Sequence, residues 1–144
     1  GEHRFPAARS LVWEKLLDPE TLRTSIPGCE DLKEVGPDSY DMTVTIGISA
    51  IRGTYSGNVT MADAEPEETY RLVAKGSGRA GSVNGSAQIR LADDGDGTLL
   101  TYEADLKATG PIARLGGRLV GSAAKMMVGR FFKAMDQHIR ESGS

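Results

Sequence analysis

The residues able to make or break bonds in this chain are few and scattered. Its 144 residues include one cysteine, Cys29, and two histidines, His3 and His138, near opposite ends. Neither histidine has metal-ligand spacing, and a single cysteine completes neither a zinc nor an iron–sulfur site. Cys29 would be a nucleophile only beside a base; following Gly28, it reads as a small half-buried residue. Gly76-Ser77-Gly78-Arg79-Ala80-Gly81 has the GxGxxG spacing of a phosphate loop. No helix pattern follows it, and a helix N-terminus is what would supply the N–H donors. Asp93, Asp94 and Asp96 imitate the start of a calcium loop but lack the closing glutamate, so they read as an acidic hairpin turn. Asp63, Glu65, Glu67 and Glu68 read as solvated charges. No catalytic residue and no metal ligand is expected, and the chain is expected not to be an enzyme.

Composition narrows the classes further. A net charge of -3 and a pI near 5.4 argue against general nucleic-acid binding. Aromatic residues make up 6% of the chain, too few for a base-stacking platform. No apolar run reaches the ~18 residues of a membrane span. The polar start at Gly1 does not read as a signal peptide, and the lone cysteine fits a reducing compartment. A cytoplasmic location is therefore expected, with residues 1–144 forming one domain.

The elements that must position any site follow from periodicity. Gly1–Phe5 reads as a first strand. A helix is expected over Pro6–Leu17, with Val12, Trp13, Leu16 and Leu17 buried. Asp18-Pro19-Glu20 is a helix start, with Asp as N-cap and Pro in the first turn, and that helix should reach Thr24. Ile26-Pro27-Gly28-Cys29 forces a turn. From Asp31 to Thr109 the period is two. Tyr40, Met42, Val44, Ile46 and Ile48 alternate with Asp41, Thr43, Thr45, Gly47 and Ser49. Similar alternations run from Ile51 to Met61, Thr69 to Lys75, Gly81 to Leu91 and Leu100 to Lys107. These are half-buried antiparallel strands with one wet face.

Last comes Pro111–Arg140, read as one long helix. About 30 residues would span ~45 Å. Ile112, Leu115, Leu119, Ala123, Met126 and Met127 fall on its apolar side, and Arg114, Arg118 and Lys125 on the other. Beyond Gly129 the apolar arc rotates towards Phe131, Phe132, Met135 and Ile139, which suggests a bend or gate there. A single sheet with one apolar face needs a cover, and only this helix is long enough. The expected class is α+β: six or seven antiparallel strands curved around the C-terminal helix, with two short helices after the first strand.

The expected inner face is lined by small residues. Gly53, Gly57, Gly81, Gly85 and Ala87 stand where a packed sheet would place larger side chains. Either they let the sheet curl, or they leave a cavity. The cavity wall would take Val44, Ile46, Tyr55, Val59, Leu72, Val83, Ala87, Ile89, Leu100, Tyr102 and Ala104 from the sheet, with Gly85. The helix would add Leu115, Leu119, Ala123, Met126, Met127 and Phe131. Such a wall takes an apolar guest with at most one polar end. Arg114, Arg118 and Lys125, edged by Phe132, read either as a solvated helix face or as a surface for an anionic membrane or an acidic partner.

Several motifs carry a family resemblance. Val12-Trp13-Glu14-Lys15-Leu16-Leu17-Asp18-Pro19-Glu20, followed by Ile26-Pro27-Gly28-Cys29-Glu30, resembles the start of the CoxG family of carbon monoxide dehydrogenase. Gly53-Thr54-Tyr55-Ser56-Gly57-Asn58-Val59, Gly97-Thr98-Leu99-Leu100-Thr101-Tyr102 and Gly110-Pro111-Ile112-Ala113-Arg114-Leu115-Gly116 continue it in order. The resemblance implies the helix-grip fold of the SRPBCC, or START-like, superfamily, whose cavities hold hydrophobic molecules. It also implies an accessory role to a molybdenum-containing carbon monoxide dehydrogenase, peripheral contact with the inner face of the cell membrane, and no catalytic residues. A membrane-associating tail found in some members would lie beyond Ser144. Joined to the expected wall, the resemblance leads to a respiratory quinone, menaquinone-like, or a lipid as the guest, with no covalent cofactor. Two alternatives stay open: a recruitment or assembly factor without ligand transfer, and a general lipid-binding or polyketide cyclase-like protein.

Overall fold

The computed structural model describes residues 1–47 and 51–143; Ile48 and Ser49 of the expected third strand, and Ser144, lie outside them. Strand β1 is Glu2–Phe5, followed by helices α1 (Arg9–Leu16) and α2 (Pro19–Ser25). Strands β2 (Cys29–Gly36), β3 (Ser39–Ile46), β4 (Gly53–Glu65), β5 (Thr69–Gly78), β6 (Gly81–Asp94) and β7 (Gly97–Thr109) follow. A 3-10 turn, Pro111–Leu115, leads into α3, Gly116–Gly143. The sheet is antiparallel with order β1-β7-β6-β5-β4-β3-β2. β2 to β7 are a meander of consecutive hairpins, and β1 returns to close against the first part of β7, from Glu2 opposite Thr101 to Phe5 opposite Thr98. The fold is α+β, as the alternation requires.

Local chemistry explains the joints. The Asp18 carboxylate accepts from the Thr21 N–H at 3.0 Å and from the Thr21 hydroxyl at 2.6 Å, capping α2. Gly28 takes φ +75°, and a side chain there would run into the Thr45 carbonyl, so only glycine fits between Pro27 and Cys29. The GxGxxG stretch is the tip of the β5–β6 hairpin, with Gly78 opposite Gly81. Asp93 and Asp94 end β6 at another hairpin and are held from β1 and α1. Arg4 bonds Asp94 at 2.9 Å and Asp96 at 3.2 Å, and Arg9 bonds Asp93 at 2.8 Å.

Three expectations are corrected. α1 begins at Arg9 rather than at Pro6, with Ala8 as its N-cap. β4 begins at Gly53; Ile51 precedes it as a buried residue, and the Tyr55 hydroxyl donates to its carbonyl at 2.7 Å. The C-terminal element is not one helix from Pro111. The 3-10 turn ends at Gly116 with φ +85°, a value open to glycine and strained for other residues, and this resets the helical phase. Leu115 and Leu119 therefore do not share a face.

Apolar packing concentrates at the two ends of α3. At its C-terminal end Met135 and Ile139 join Phe5, Val12, Leu16, Leu91 and Leu100. At its N-terminal end Val120 and Ala123 join Ile51, Tyr55 and Ile112. Between these clusters the helix crosses the sheet over open space.

Candidate functional site

Two apolar chambers lie between α3 and the sheet. The first, about 270 Å³, is walled by Leu16, Leu22, Ile26 and Pro27 from the helical layer and by Leu32, Tyr40, Met42, Val59, Met61, Tyr70, Leu72, Ala87, Ile89, Leu100, Tyr102 and Ala104 from every strand from β2 to β7. Met127, Val128, Phe131 and Phe132 close it from α3. The second, about 330 Å³, lies towards the N-terminus of α3, between Val44, Ile46, Tyr55, Val83 and Leu106 below and Ile112, Val120 and Ala124 above. Ile26, Met42, Met127 and Val128 belong to both walls and form the waist between them. The first chamber falls just short of a small-molecule site, roughly 300–1,000 Å³, and the second just reaches that range. A broader hollow of about 820 Å³ lies on the outer sheet face, among polar residues such as Lys33, Asn58, Lys75 and Asn84. It is a wet saddle of the twisted sheet, without the apolar enclosure of the inner pair.

Small residues serve both purposes weighed from the sequence. A side chain at Gly57 would strike the Lys75 carbonyl and the Gly76 backbone, so Gly57 permits close strand approach. Gly76 and Ala87 instead leave room, and both stand on chamber walls. A Cβ at Gly85 would lie 2.8 Å from Leu106 Cδ2; Gly85 is thus filled from its neighbour and contributes no wall.

The sheet residues of the expected wall come together. Val59, Leu72, Ala87, Ile89, Leu100, Tyr102 and Ala104 line the first chamber, and Val44, Ile46, Tyr55 and Val83 the second. On α3 only Met127 and Phe131 do so. Leu119 and Met126 are 49% and 47% exposed, pointing away from the sheet. Ala123 is buried in the end cluster and Leu115 packs against it. The lining residues missed on the helix are Val120, Ala124 and Val128, a stripe at i, i+4 and i+8 that appears once the phase restarts after Gly116. From Val120 through Met127, Phe131 and Met135 to Ile139 the inner stripe drifts by about 100° at 3.6 residues per turn, a gradual turn of the apolar arc along a helix that runs unbroken from Gly116 to Gly143. Leu16, Leu22, Ile26 and Pro27 were also missed: Leu16 reads as helix core and Ile26-Pro27 as a turn, and neither reading points to a chamber wall.

The surface residues divide in a similar way. Arg114, Arg118 and Lys125 are exposed, and none makes an ion pair among the described residues. Phe132 is not beside them. Its ring stacks on His3 at 4.8 Å and meets Phe5 at 5.9 Å, Tyr102 at 5.8 Å and Phe131 at 5.6 Å. It is drawn inward because α3 turns that face towards β1. His3 also bonds both Asp136 oxygens at 3.0 Å, tying β1 to α3. His138 Nε2 lies 2.8 Å from the Thr24 hydroxyl, tying α2 to the same helix. Both histidines thus hold α3 in place. The Cys29 thiol donates to the Asp31 carbonyl at 3.4 Å, and burial pushes its pKa up, away from thiolate chemistry. Among the described residues no group of three or more metal-ligating side chains forms, and no helix is long and apolar enough to cross a membrane.

Comparison with known proteins agrees with this architecture. A conserved protein from Geobacillus kaustophilus is 33% identical and superposes with a TM-score of 0.95 over 98% of this chain and 93% of that one. A START superfamily protein from Mycobacterium smegmatis, 14% identical, superposes at 0.75 over 98% of this chain and 95% of that one. A protein from Thermus thermophilus, 17% identical, superposes at 0.78 over 100% and 97%. The last two share the fold alone. No curated protein matches the sequence. The family model for CoxG of carbon monoxide dehydrogenase matches residues 1–140. On that match the chain belongs to the carbon monoxide dehydrogenase CoxG family and has its START-like helix-grip fold.

Proposed function

We propose that this protein is a non-catalytic carrier that takes up an isoprenoid quinone, menaquinone-like, and presents it to a molybdenum-containing carbon monoxide dehydrogenase at the membrane. The observation that carries the reading is the pair of adjacent apolar chambers under α3, which share the walls Ile26, Met42, Met127 and Val128 and are nearly free of polar groups. The family name supplies the enzyme. Oxidation of CO with water yields CO2, two protons and two electrons; a quinone taking up both pairs becomes a quinol, so one quinone balances one turnover of the enzyme. Quinones with long tails reside in lipid, and a carrier that removes them must match that environment. At ~25 cal/mol per Å² of apolar surface, a close-fitting chamber offsets extraction of the tail from an equally apolar bilayer.

Exposed Arg114, Arg118 and Lys125 support the membrane part of the reading, each worth about 1 kcal/mol near an anionic surface. Organic extraction of purified protein, followed by mass spectrometry, tests the carrier. A stoichiometric quinone is expected. A phospholipid or fatty acid would retain the carrier and change its cargo. An empty extract, with no rise in melting temperature on adding menaquinone, would overturn the reading in favour of a recruitment factor that transfers no ligand.

A further inference from the structure

The four tyrosines of the inner face differ in what their hydroxyls do. Tyr55 spends its hydroxyl on the Ile51 carbonyl. Tyr102 lies at the rim, its ring against Phe132 and its hydroxyl beside Gly1. Tyr40 is also buried on the wall of the first chamber; burial raises its phenol first and the carboxylates of Glu34, Asp38 and Asp18 add to this, and those negative charges disfavour an electron-rich guest oxygen beside it. Tyr70 is different. It is 3% exposed and stands on the wall of the first chamber. Trp13 holds its ring edge-on at 5.4 Å and 88°, and Ile89 is its partner on β6. Its hydroxyl makes no hydrogen bond among the described residues. The fully buried side-chain oxygen without a partner is Ser25 Oγ, so the Tyr70 hydroxyl keeps a small accessible surface of its own, and an unpaired donor there gains from an acceptor on a guest. Burial alone pushes the Tyr70 phenol far above its ordinary pKa, which keeps it a protonated donor at any working pH.

We propose that Tyr70 is the specificity residue of the first chamber, donating a hydrogen bond to a carbonyl-type oxygen at one end of an otherwise apolar guest. This rests on the carrier reading and adds an orientation to it. The polar ring sits in the first chamber, and the tail passes the waist at Met42 and Met127 into the second, leaving past Leu106. Leu106 both lines that chamber and is 46% exposed, which marks an opening there. A guest of the same shape without an acceptor oxygen leaves Tyr70 unpaired and binds less well, as sites built for hydrogen bonding reject analogues that lack the group.

The test is a matched pair of probes, 2-methyl-1,4-naphthoquinone and 2-methylnaphthalene, titrated calorimetrically into delipidated wild-type protein and Tyr70→Phe. Quenching of Trp13, the single tryptophan, reports whether the quinone reaches this chamber. Wild type is expected to prefer the quinone, and Tyr70→Phe to lose roughly five- to tenfold in quinone affinity with no change for the hydrocarbon. The variant should melt at or above the wild-type temperature, since no bond within the fold is lost. A variant that keeps the full preference overturns the role of Tyr70 and leaves the carrier standing. A variant that melts lower overturns it too, because the hydroxyl then has a partner in the fold. If wild type binds neither probe, the carrier reading falls and the anchor with it.

Discussion

Replacing Ala87 by leucine should raise the stability of the empty protein, although it enlarges a residue on a buried face. Ala87 is centred on the inner face of β6, opposite Leu72 on β5 and Ala104 on β7, and all three line the first chamber. Leucine adds three carbons, each worth about 0.8 kcal/mol when taken out of water, so the gain is about 2 kcal/mol if the space is open. For a chain of this length 1 kcal/mol corresponds to roughly 3–4 °C, giving a rise of about 6–8 °C. A filled core would respond with the opposite sign, since overpacking costs about 1–3 kcal/mol. Differential scanning calorimetry of delipidated Ala87→Leu reads the sign directly. Delipidation matters, because a bound guest stabilises only the wild-type chamber and would reverse the comparison. The same three carbons occupy the guest's volume, so the affinity for 2-methyl-1,4-naphthoquinone should drop about tenfold or more, near 1.4 kcal/mol. A lower melting temperature in the variant would refute the open chamber and the function drawn from it.

Other expectations follow from single contacts. Tyr55→Phe strands the Ile51 carbonyl and should cost about 1–2 kcal/mol, read as a lower urea midpoint with an unchanged slope. Asp18→Ala removes the cap of α2 and should cost about 1 kcal/mol at pH 7. The Asp18 pKa is lowered from its ordinary 3.8, chiefly by the Thr21 hydroxyl bond, then by the Thr21 N–H bond and Lys15 against the opposing effect of burial. A lowered folded pKa gives stability that is complete above 3.8 and lost as pH falls through the folded value. The difference between wild type and Asp18→Ala should therefore hold at neutral pH and shrink below about pH 3.8. The double variant Arg118→Glu with Lys125→Glu should abolish sedimentation with phosphatidylserine vesicles while leaving naphthoquinone affinity unchanged; retained sedimentation would remove this face from the membrane reading.

Much of the fold is legible because a sheet writes its two faces into the sequence at a period of two. Tyr40 and Met42 against Asp41 and Thr43, or Ile89 and Leu91 against Arg90, need no tertiary knowledge. The sheet half of the chamber wall follows from the same alternation. The helix half does not, because a helical wheel depends on where the helix begins. Gly116 was visible as a glycine, but its positive φ was not, nor that the 3-10 turn before it is tied to the β5–β6 hairpin, where Ile112 donates to the Ala80 carbonyl. Counting from Ile112 placed Leu119 and Met126 inside; counting from Val120 places them outside. The waist was illegible for a different reason. Met42 and Ile26 are distant in sequence, and only the packing of the α2–β2 turn against β3 brings them to Met127. Tyr70 was one of four inward tyrosines, and only the contacts of Tyr55 and Tyr102 and the carboxylates around Tyr40 single it out.

The return of β1 to β7 and the late position of α3 bear on how the chain is made. Phe5 must find Thr98 across more than ninety residues, and such distant pairings are slow to close. On a ribosome the meander from β2 to β7 emerges with its apolar face bare, and its cover is synthesised last. Until α3 arrives, Tyr40, Met61, Leu72 and Ile89 are exposed to neighbouring nascent chains, the circumstance in which aggregation competes with folding. A hydrophobic cargo present during synthesis would occupy that bare face early and act as a template for the closing helix. Yield from cells should then depend on the supply of cargo as well as on temperature.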